Sequence, residues 1–503
     1  MSSSKNILLV SPETPVTFWS FKHVLKFVRK KSAFPPLGLL TVASILPSSW
    51  KKRLIDMDVD KLKDRDLLWA DYVFIGGMIV HKDSIKKILK RCKDLKKTVV
   101  AGGPIFTTGY EEFVNDVNHF VLDESEITLP MFLKDLEKGT LKKKYTSSQR
   151  PCLSQTPIPS WHLINMKKYA TMSLQYSRGC PFNCEFCDII IMNGRIPRLK
   201  SNQQMLLELD SLYNAGWRGA VFIVDDNFIG NKIQVKNFLP ELAQWMKQRK
   251  DPFVFLTEAS VNLADDNKLL ELMVASGFKK VFVGIETPCE ESLVECSKFQ
   301  NTKKNMGDSI RHIQNYGLEV MGGFIVGFDS DPMDIFDKQI AFIQKNGIVV
   351  AMVGLLGALP KTRLYNRLKK EGRLLENWKG NNFGDGALNF TPKMNIGILK
   401  EGYKKILTNI YSPKQYYNRI LTFIKEYKPP KSLIKSHKDI SNLMALIRSV
   451  WYLGIVWKYR LYYWKLMFIG FFKYRSSFPQ IVILSIYGYH FSKITDSLRF
   501  QKE

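Results

Sequence analysis

The sequence predicts an α/β protein made of two successive strand–helix domains and a helical region at the end of the chain. Short apolar runs alternate with helical patterns over residues 5–136, which is typical of a doubly wound parallel sheet. The alternation resumes over residues 170–360 in six strand–helix units, which favours a partial (β/α)6 barrel. The chain has 503 residues, 45% of them hydrophobic, so two or three globular cores are expected and a disordered chain is excluded.

The first domain has five apolar runs that predict buried strands. They cover residues 5–13, 53–56, 71–77, 98–104 and 119–122, with helical patterns at 36–46, 83–95 and 127–136. Two of the runs end in glycine pairs, Gly76-Gly77 and Gly102-Gly103. Glycine permits a positive φ or a close approach of the backbone, and ligands of such sheets bind beyond the carboxyl ends of the strands. We therefore expect a ligand at these four glycines, although neither G-x-G-x-x-G nor G-x4-G-K-[ST] occurs.

The barrel region is predicted from six further runs. The expected strands are 172–176, 220–224, 253–256, 280–284, 319–326 and 349–355, with helices at 203–215, 234–248 and 267–276 between them. Catalytic residues of such barrels lie at the carboxyl ends of the strands. Polar residues follow three of these strands, at Asp225-Asp226, Ser260 and Glu286.

A cysteine-rich loop follows the first of these strands. Cys180, Cys184 and Cys187 have the spacing C-x3-C-x2-C, and thiolates suit iron–sulfur clusters and zinc. A structural zinc site closes with four ligands, yet no nearby His or fourth Cys completes this set. The loop therefore predicts a 4Fe–4S cluster with one iron left open; three incidental cysteines are the alternative.

The cysteine spacing, with Phe186 before the last cysteine, resembles the radical S-adenosylmethionine (SAM) enzymes. In that family the open iron chelates the amino and carboxylate groups of SAM. The resemblance implies that the main chain of Phe186 approaches the adenine and that Asp225 and Asp226 take the ammonium. Helix capping by Asp226 or Asn227 is left open.

Two more strand ends have roles implied by the resemblance. Ser260 is expected to contact the cofactor, with helix capping as the alternative. Glu286 is expected on the adenosyl or cobalt side of the site, as a catalytic residue. Cys289 and Cys296 lack a C-x2-C partner, so a second cluster is not predicted.

The first domain resembles the cobalamin-binding domain of one large subgroup of these enzymes. The phrases that carry this resemblance are 101–104 (AGGP) and 121–126 (VLDESE), in which Asp123 stands where the subgroup usually has glycine. The D-x-H-x-x-G motif is absent, and neither His23 nor His81 lies in such a motif. The resemblance implies a Rossmann-like domain that binds cobalamin at the four glycines without a protein histidine on cobalt. An empty module is the alternative.

The expected domains are a cobalamin-binding domain at 1–140, a proline-rich linker at 141–168, a radical SAM barrel at 169–395 and a helical region at 396–503. The resemblance covers residues 5–395, including the phrase 358–365 (ALPKTRLY). It is closest to the branch that contains the hopanoid methylases, which methylate a polycyclic lipid at an unactivated carbon.

The resemblance implies cobalamin-dependent methyl transfer to an unactivated carbon. Reduction of the cluster would cleave SAM to methionine and a 5′-deoxyadenosyl radical, which removes hydrogen from the substrate, and methylcobalamin would supply the methyl group. A donor such as ferredoxin or flavodoxin would reduce the cluster. Cyclisation or rearrangement without methyl transfer is one alternative.

RNA modification is the other alternative, prompted by the net charge of +27. Methylthiolating relatives carry an additional cysteine triad before the barrel, and only Cys92 and Cys152 occur there. No nucleic-acid partner is therefore expected.

The tail is basic and aromatic. Residues 401–503 contain 18 Lys and Arg against five Asp and Glu, and residues 441–495 contain no acid but 15 aromatic side chains. Apolar runs in the tail are shorter than a bilayer requires, but aromatic and basic residues beside such runs suit a membrane interface. Peripheral membrane contact and an apolar or lipid-like substrate are expected; a helical cap packed on the barrel is the alternative to membrane contact.

The expected location is the cytoplasm, with contact at the inner face of the membrane. Seven cysteines form no disulfide framework, and the cluster motif requires a reducing compartment. The first residues lack the long apolar segment and cleavage site of a signal peptide.

Overall fold

The frame of the molecule is a pair of six-stranded parallel sheets, seen in a computed structural model that describes residues 4–375, 388–429 and 440–499. The strands of the first sheet are β1 (Asn6–Ser11), β2 (Lys51–Asp56), β3 (Tyr72–Gly76), β4 (Thr98–Gly102), β5 (His119–Val121) and β6 (Lys144–Tyr145). They lie in the order β2-β1-β3-β4-β5-β6. The strand order reverses between β1 and β3, the place where doubly wound sheets bind ligands.

The second sheet follows the chain without reversal. Its strands, with the short ribbon that follows the first of them, are β7 (Thr171–Leu174), β8 (Ser177–Arg178), β9 (Arg198–Leu199), β10 (Gly219–Ile223), β11 (Phe253–Ala259), β12 (Phe278–Glu286), β13 (Glu319–Val326) and β14 (Ala351–Leu355). The order β7-β10-β11-β12-β13-β14 makes an open barrel, and the antiparallel pair β8–β9 closes the loop of residues 179–197.

Helices cover both sheets and then continue alone. In the first domain they are α1 (Lys22–Val28), α2 (Leu37–Ile45), α3 (Asp64–Trp69), α4 (Lys82–Asp94), α5 (Pro104–Gly109) and α6 (Ser125–Lys138). Around the barrel they are α7 (Ile189–Met192), α8 (Asn202–Asn214), α9 (Lys232–Gln248), α10 (Asn267–Ala275), α11 (Glu290–Glu295), α12 (Met306–Asn315), α13 (Ile335–Lys345) and α14 (Arg363–Lys370). The tail has α15 (Ile396–Ile410), α16 (Pro413–Glu426), α17 (Ile440–Ser449), a π-helical segment (Val450–Val456), α18 (Arg460–Lys473) and α19 (Phe478–Arg499).

The first sheet is buried on both faces because alternate side chains of each strand enter different cores. Leu8 and Val10 of β1 pack on one face with Ile75, whereas Ile7 and Leu9 pack on the other. Strands buried on both sides read as continuous apolar runs, which is why they were recognisable in the sequence. The predicted α/β fold class, with its doubly wound sheet and partial barrel, is confirmed.

One segment expected in the first domain belongs to the barrel instead. Phe18, Val24 and Phe27 are part of the barrel core, and the backbone N–H groups of Lys31 and Ser32 donate to the carbonyl of Lys168. The aromatic side chains of this stretch are buried in the core that the barrel shares with the tail helices, while the expected domain boundaries stay predictions.

The first sheet also extends beyond its expected end at residue 140. β6 pairs in parallel with β5, so the stretch Lys144–Tyr145, assigned to the linker, completes the first sheet. Apolar burial explains the extension, because Tyr145 is buried in the core beneath the sheet.

Three tail helices pack on the barrel as a helical cap. α15 lies against α13, and the Tyr416 hydroxyl on α16 donates to the Leu484 carbonyl on α19 at 2.7 Å. At the amino-terminal end of the barrel strands, Gln480 of α19 donates to Glu319, which also pairs with Lys280 at 3.1 Å. Within the described residues, no helix is long and apolar enough to span a bilayer.

A glycine allows the tail to approach the barrel closely. Gly347 lies between α13 and β14 with φ +59°, and a Cβ there would lie 2.8 Å from the backbone of Phe423 on α16. Neither the left-handed conformation nor the contact tolerates a side chain. The turn therefore sets how tightly α16 packs.

We expect Gly347→Ala to lower the free energy of unfolding by about 2–4 kcal/mol, from left-handed strain plus the backbone clash. The control is Gly372→Ala, because Gly372 has φ +66° with nothing within 4 Å; it should cost only about 1 kcal/mol. Thermal unfolding followed by circular dichroism compares the two. Equal losses would show that contact with α16 does not matter.

Candidate active site

The carboxyl ends of the two sheets face each other across a cluster of charges. Arg178, in the cysteine loop, donates to Glu124 at 2.7 Å and to Glu126 at 2.8 Å, both of which follow β5. Arg198 on β9 also pairs with Glu124, at 2.7 Å. These side chains are largely buried, so each charge needs its partners. The cysteine loop is thereby fixed to the edge of the first sheet.

A buried carboxylate determines where the cysteine loop leaves the barrel. Asp225, directly after β10, accepts hydrogen bonds from the backbone N–H of Tyr176 at 2.7 Å and of Ser177 at 2.8 Å. The Ser177 hydroxyl adds a third bond at 2.6 Å. Burial raises the pKa of Asp225 to about 7, although these three bonds oppose the shift. This arrangement gives Asp225 a positioning role, and direct contact with SAM stays a prediction.

Asp226 holds the loop itself. It accepts the Asn193 amide at 2.9 Å and the Gly179 N–H at 3.3 Å. Capping by Asp226 or Asn227 is wrong, because neither side chain makes a cap bond. α9 begins at Lys232 and is capped by Asn231, whose side chain accepts the Gln234 N–H. The Asp226 carboxylate thus serves loop geometry, and its role toward SAM is untested.

The three loop cysteines lie together as thiols without disulfide bonds. The Asn227 amide points at the Cys180 sulfur at 3.9 Å, and the Gln300 amide points at the Cys184 sulfur at 3.7 Å. Burial raises the pKa of Cys187 above its ordinary value, and the neighbouring charges of Asp188, Cys184 and Cys180 add to this. Thiols kept this close are favoured as thiolates once iron binds them.

The donor set fits a cluster better than a single ion. Among the described residues, no group of three or more His, Cys, Asp or Glu side chains is arranged to hold one metal ion. A 4Fe–4S cluster is held through three different irons, so its cysteines need not converge on one point. Amide donors to sulfur, as at Cys180 and Cys184, are the hydrogen bonds that tune such clusters.

Glu286 ends β12 in a strained conformation and in an ion pair. Its φ is +64°, and its carboxylate is bonded to Lys298. Burial lowers the pKa of Lys298, but the charges of Glu286 and Cys184 raise it more, so the net direction is upward. A Cβ at Gly284 would lie 2.5 Å from the Glu286 oxygen. The left-handed conformation costs a non-glycine residue about 1–2 kcal/mol, which the surrounding contacts must offset.

Ser260 follows β11 and is bound to Asn227. The Asn227 amide donates to its hydroxyl at 3.2 Å, and the hydroxyl donates to Asn262 at 2.6 Å. No cap bond is made by its side chain. Since Asn227 also reaches Cys180, a chain of polar groups runs from the cysteine loop to the end of β11.

Several residues of the site were missed by sequence reasoning. They are Arg178, Asn193, Lys298 and Gln300, none of which belongs to a short motif, and Glu258. Glu258 on β11 is mostly buried, and no hydrogen bond or ion pair is found for it in the described structure. Burial raises its pKa to about 8, with the charges of Asp226 and Asp225 adding to the shift and Lys298 opposing it. The sequence signal that could have identified Glu258 is its position on β11, the strand next to the one that Asp226 follows.

The glycines of the first sheet make close contacts within the protein. A Cβ at Gly102 would lie 2.6 Å from the Val121 carbonyl, and one at Gly103, where φ is +89°, would lie 3.3 Å from the Gly77 backbone. At Gly76 the nearest atom would be 3.1 Å away, on the Leu39 side chain. These contacts within the protein are enough to explain why glycine occupies these positions, and no ligand is needed to explain it. Cobalamin binding at the four glycines therefore stays a prediction.

Asp123 fits the glycine position that it occupies in the VLDESE phrase. Its φ is +61°, a left-handed conformation that glycine adopts freely and Asp tolerates. Its carboxylate accepts the Ser147 N–H at 3.1 Å. The departure from the expected glycine is therefore compatible with the local backbone.

The remaining predicted residues are engaged with neighbouring side chains. The ring of Phe186 lies 6.3 Å from that of Phe328, and its expected main-chain contact with adenine is untested. His81 accepts the Met78 N–H at 3.1 Å. His23 packs beside His490 at 5.5 Å.

Apolar side chains on three barrel strands remain partly exposed. Phe222, Leu256 and Phe282 alternate along their strands with fully buried neighbours, yet each remains partly exposed. Trp19 lies against Phe282 at 4.7 Å and Phe34 against Phe222 at 5.4 Å. The N-terminal segment thus lines an apolar interior below the polar strand ends.

Comparison with known proteins identifies this arrangement. Residues 174–343 match the model of the radical SAM superfamily, and residues 362–503 match a domain of unknown function, DUF4070. The chain is 41% identical to an uncharacterized methyltransferase of Synechocystis sp., over 98% of this chain and 92% of that protein. It is 33% identical to the hopanoid C-2 methylase of Rhodopseudomonas palustris, over 92% of this chain and 89% of that protein. The chain belongs to the radical SAM family of these two proteins.

The family predicted from the cysteine loop is therefore confirmed, and the chain is a radical SAM enzyme. Its fold is also similar to that of a solved cobalamin-dependent SAM radical enzyme, OxsB, crystallised with aqua-cobalamin and SAM. The TM-score is 0.62 at 16% identity, over 99% of this chain and 81% of that one. A likeness at this identity concerns the fold alone.

We expect Glu258→Gln to flatten the pH dependence of stability of this radical SAM enzyme. A carboxyl whose folded pKa is raised to about 8 stabilises the protein fully below its unfolded pKa and loses that contribution as pH rises through 8. The wild-type unfolding free energy should fall between pH 6 and pH 9 by on the order of 2 kcal/mol more than that of the variant.

Melting temperatures measured from pH 6 to pH 9 test this expectation. Glu401→Gln, at an exposed position on α15, serves as the control and should keep the wild-type slope. Parallel curves for the wild type and Glu258→Gln would rule out a neutral Glu258.

Proposed function

We propose that this radical SAM enzyme is a cobalamin-dependent C-methyltransferase acting on an unactivated carbon of an apolar or lipid-like substrate. The observation that carries the proposal is the position of the three-cysteine loop. It lies at the carboxyl edge of the barrel, faces the carboxyl edge of a doubly wound sheet through Arg178, and stands above an apolar interior. Each feature corresponds to one requirement of the reaction.

Cys180, Cys184 and Cys187 would hold the 4Fe–4S cluster. When bound, the cluster supplies the electron that cleaves SAM reductively. The chain contributes position: Asp225 and Asp226 fix the loop ends, while the amides of Asn227 and Gln300 point at two of the sulfurs. Buried surroundings exclude water from the radical chemistry.

SAM would lie across the polar strand ends beside the loop. Ser260 and Glu286 have polar side chains there, and the bond from Lys298 orients the Glu286 carboxylate. The main chain of Phe186 would approach the adenine. A fixed carboxylate and hydroxyl on separate strands can orient the amino acid and ribose portions of a ligand independently.

Cobalamin would occupy the crevice between the two carboxyl edges, at Gly76, Gly77, Gly102 and Gly103. It supplies, when bound, a methyl group for transfer. Glu124 and Glu126, paired with Arg178, keep this crevice adjacent to the cysteine loop. His81 already accepts a backbone hydrogen bond, which supports binding without a histidine on cobalt.

The substrate class is supported by the barrel interior and by the relatives. Phe222, Leu256, Phe282, Trp19 and Phe34 offer an aromatic and aliphatic wall. An apolar surface of this kind favours an apolar ligand. The hopanoid C-2 methylase and the methyltransferase of Synechocystis have names that support methyl transfer. An electron donor such as ferredoxin or flavodoxin and peripheral membrane contact belong to the same proposal.

We expect Cys180→Ala, Cys184→Ala and Cys187→Ala each to reduce bound iron from about four atoms per chain to nearly none, because an open cluster has no spare thiolate. Formation of 5′-deoxyadenosine should fall below detection. Iron analysis after anaerobic reconstitution measures the first effect and chromatography the second.

Cys152→Ala is the matched control, since Cys152 is exposed and lies outside the C-x3-C-x2-C motif. It should retain wild-type iron and SAM cleavage. Retention of the cluster by any of the three loop variants, with melting temperature unchanged, would remove that cysteine from the ligand set.

Methyl-labelled SAM distinguishes methyl transfer from the alternative of cyclisation or rearrangement. With cobalamin, a reductant and a polycyclic triterpenoid, we expect the label in the product. About equal amounts of 5′-deoxyadenosine and S-adenosylhomocysteine should form, because one SAM starts the reaction and another supplies the methyl group. A modified product without label would favour rearrangement. Omission of cobalamin should abolish labelling but leave some SAM cleavage.

A further inference from the structure

An exposed apolar face occupies the hairpin formed by α17, the π-helical segment and α18. Eleven large hydrophobic side chains between residues 443 and 472 are at least a third exposed. On the first arm they are Leu443, Ile447, Trp451, Ile455 and Val456. On the second arm they are Leu461, Tyr462, Trp464, Phe468, Phe471 and Phe472. Contiguous apolar patches of this size on a protein surface mark interaction sites.

Each arm presents these residues on one side. The first arm exposes every fourth residue from Leu443 to Ile455. The π-helical segment, Val450–Val456, winds less per residue than an α-helix and so counteracts the drift of such a stripe. On α18, Leu461, Trp464, Phe468 and Phe471 recur at three- and four-residue steps. Tyr463, Leu466 and Met467 are buried on the opposite side.

The two stripes join at Trp464. Its indole N–H donates to the Gly454 carbonyl at 2.9 Å, and a Cβ at Gly454 would lie 3.1 Å from the Trp464 ring. The Ser449 and Tyr463 hydroxyls lie 2.9 Å apart and connect the same two arms. The hairpin is therefore a packed unit whose outer side is apolar across both arms.

Basic side chains surround this face. Lys458, Arg460, Lys465, Lys473 and Arg475 are exposed, and no Asp or Glu occurs between residues 441 and 495. Lys458 lies 4.9 Å from the Tyr459 ring and Arg475 lies 5.8 Å from the Phe471 ring. Long basic side chains can keep their charges in water while their stems and neighbouring rings remain in an apolar medium.

We infer that this hairpin is the surface by which the protein lies on an anionic lipid bilayer, with its aromatic and aliphatic side chains inserted among the acyl chains. The apolar face supplies the insertion. The basic rim, in which Lys458 also lies 3.9 Å from Asp496, matches phosphate headgroups. The inference rests on the peripheral membrane contact included in the proposed function and deepens it by naming the surface that makes the contact. It uses none of the residues assigned to the catalytic site.

The surface is rigidly connected to the barrel through α19. This helix packs on α18, its Gln480 bonds to Glu319, and Tyr487 lies 4.7 Å from Lys280 at the amino-terminal end of β12. Binding of the hairpin would thus hold the barrel, with its apolar interior, at a fixed position over the lipid.

Vesicle sedimentation tests this inference on the full-length, anaerobically reconstituted protein. We expect binding to vesicles that contain phosphatidylglycerol, weaker binding to phosphatidylcholine alone, and a decrease with salt, because exposed charges are screened. Phe468→Glu combined with Phe472→Glu should weaken binding by about tenfold or more, since two inserted rings are lost.

Leu207→Glu combined with Ile233→Glu is the matched control. Both positions are exposed apolar residues on helices outside the barrel, 50% and 72% accessible, and their substitution should leave vesicle binding unchanged. Cleavage of SAM should be equal in all three proteins, so a failure of catalysis and a failure of membrane binding are distinguishable.

Two results would overturn the inference. One is equal vesicle binding by the wild type and the Phe468–Phe472 double variant. The other is a wild-type dimer in solution that the double variant converts to a monomer without a change in vesicle binding, which would assign the face to a second copy of the chain.

Discussion

A single buried carboxylate constrains most of the active site. Asp225 accepts both backbone N–H groups of Tyr176 and Ser177, the two residues through which the chain turns from β7 into the cysteine loop. Hydrogen bonds to a charged or partly charged carboxyl are worth about 1.5–3 kcal/mol each, and a buried donor without a partner costs a similar amount. The loop cannot leave its strand elsewhere without losing these bonds.

The contacts that the cysteine loop makes with the first sheet depend on this position of the loop. Arg178 is the next residue after Ser177, so its bonds to Glu124 and Glu126 fix the first sheet relative to the barrel. Asp226, one residue later, likewise accepts hydrogen bonds from the loop, from the Gly179 N–H and the Asn193 amide. Asp225 and Asp226 therefore both hold the cysteine loop in place. In the sequence, two acids at a strand end suggest a ligand site, because the loop groups that they bind cannot be identified from it.

The sequence contained the strands and the cysteine ligands because both are local signals. Strands buried on two faces appear as apolar runs, and Cys180, Cys184 and Cys187 occupy eight consecutive positions. Lys298, Gln300 and Arg178 act through partners 12, 116 and 54 residues away, and no local pattern encodes such pairs. The burial of Phe18 in the barrel core could not be predicted for the same reason, because it is provided by residues more than 390 positions later.

The contact between the two ends of the chain bears on how the protein is made. His490 bonds to the Phe18 carbonyl, and Lys26 on α1 reaches the Tyr489 hydroxyl at 2.7 Å, across separations of 472 and 463 residues. Synthesis proceeds from the amino terminus at about 5–20 residues per second. The aromatic segment around Phe18 and Phe21 must therefore wait roughly half a minute or more for its partner helix. During that interval its aromatic side chains lack the contacts that α19 provides.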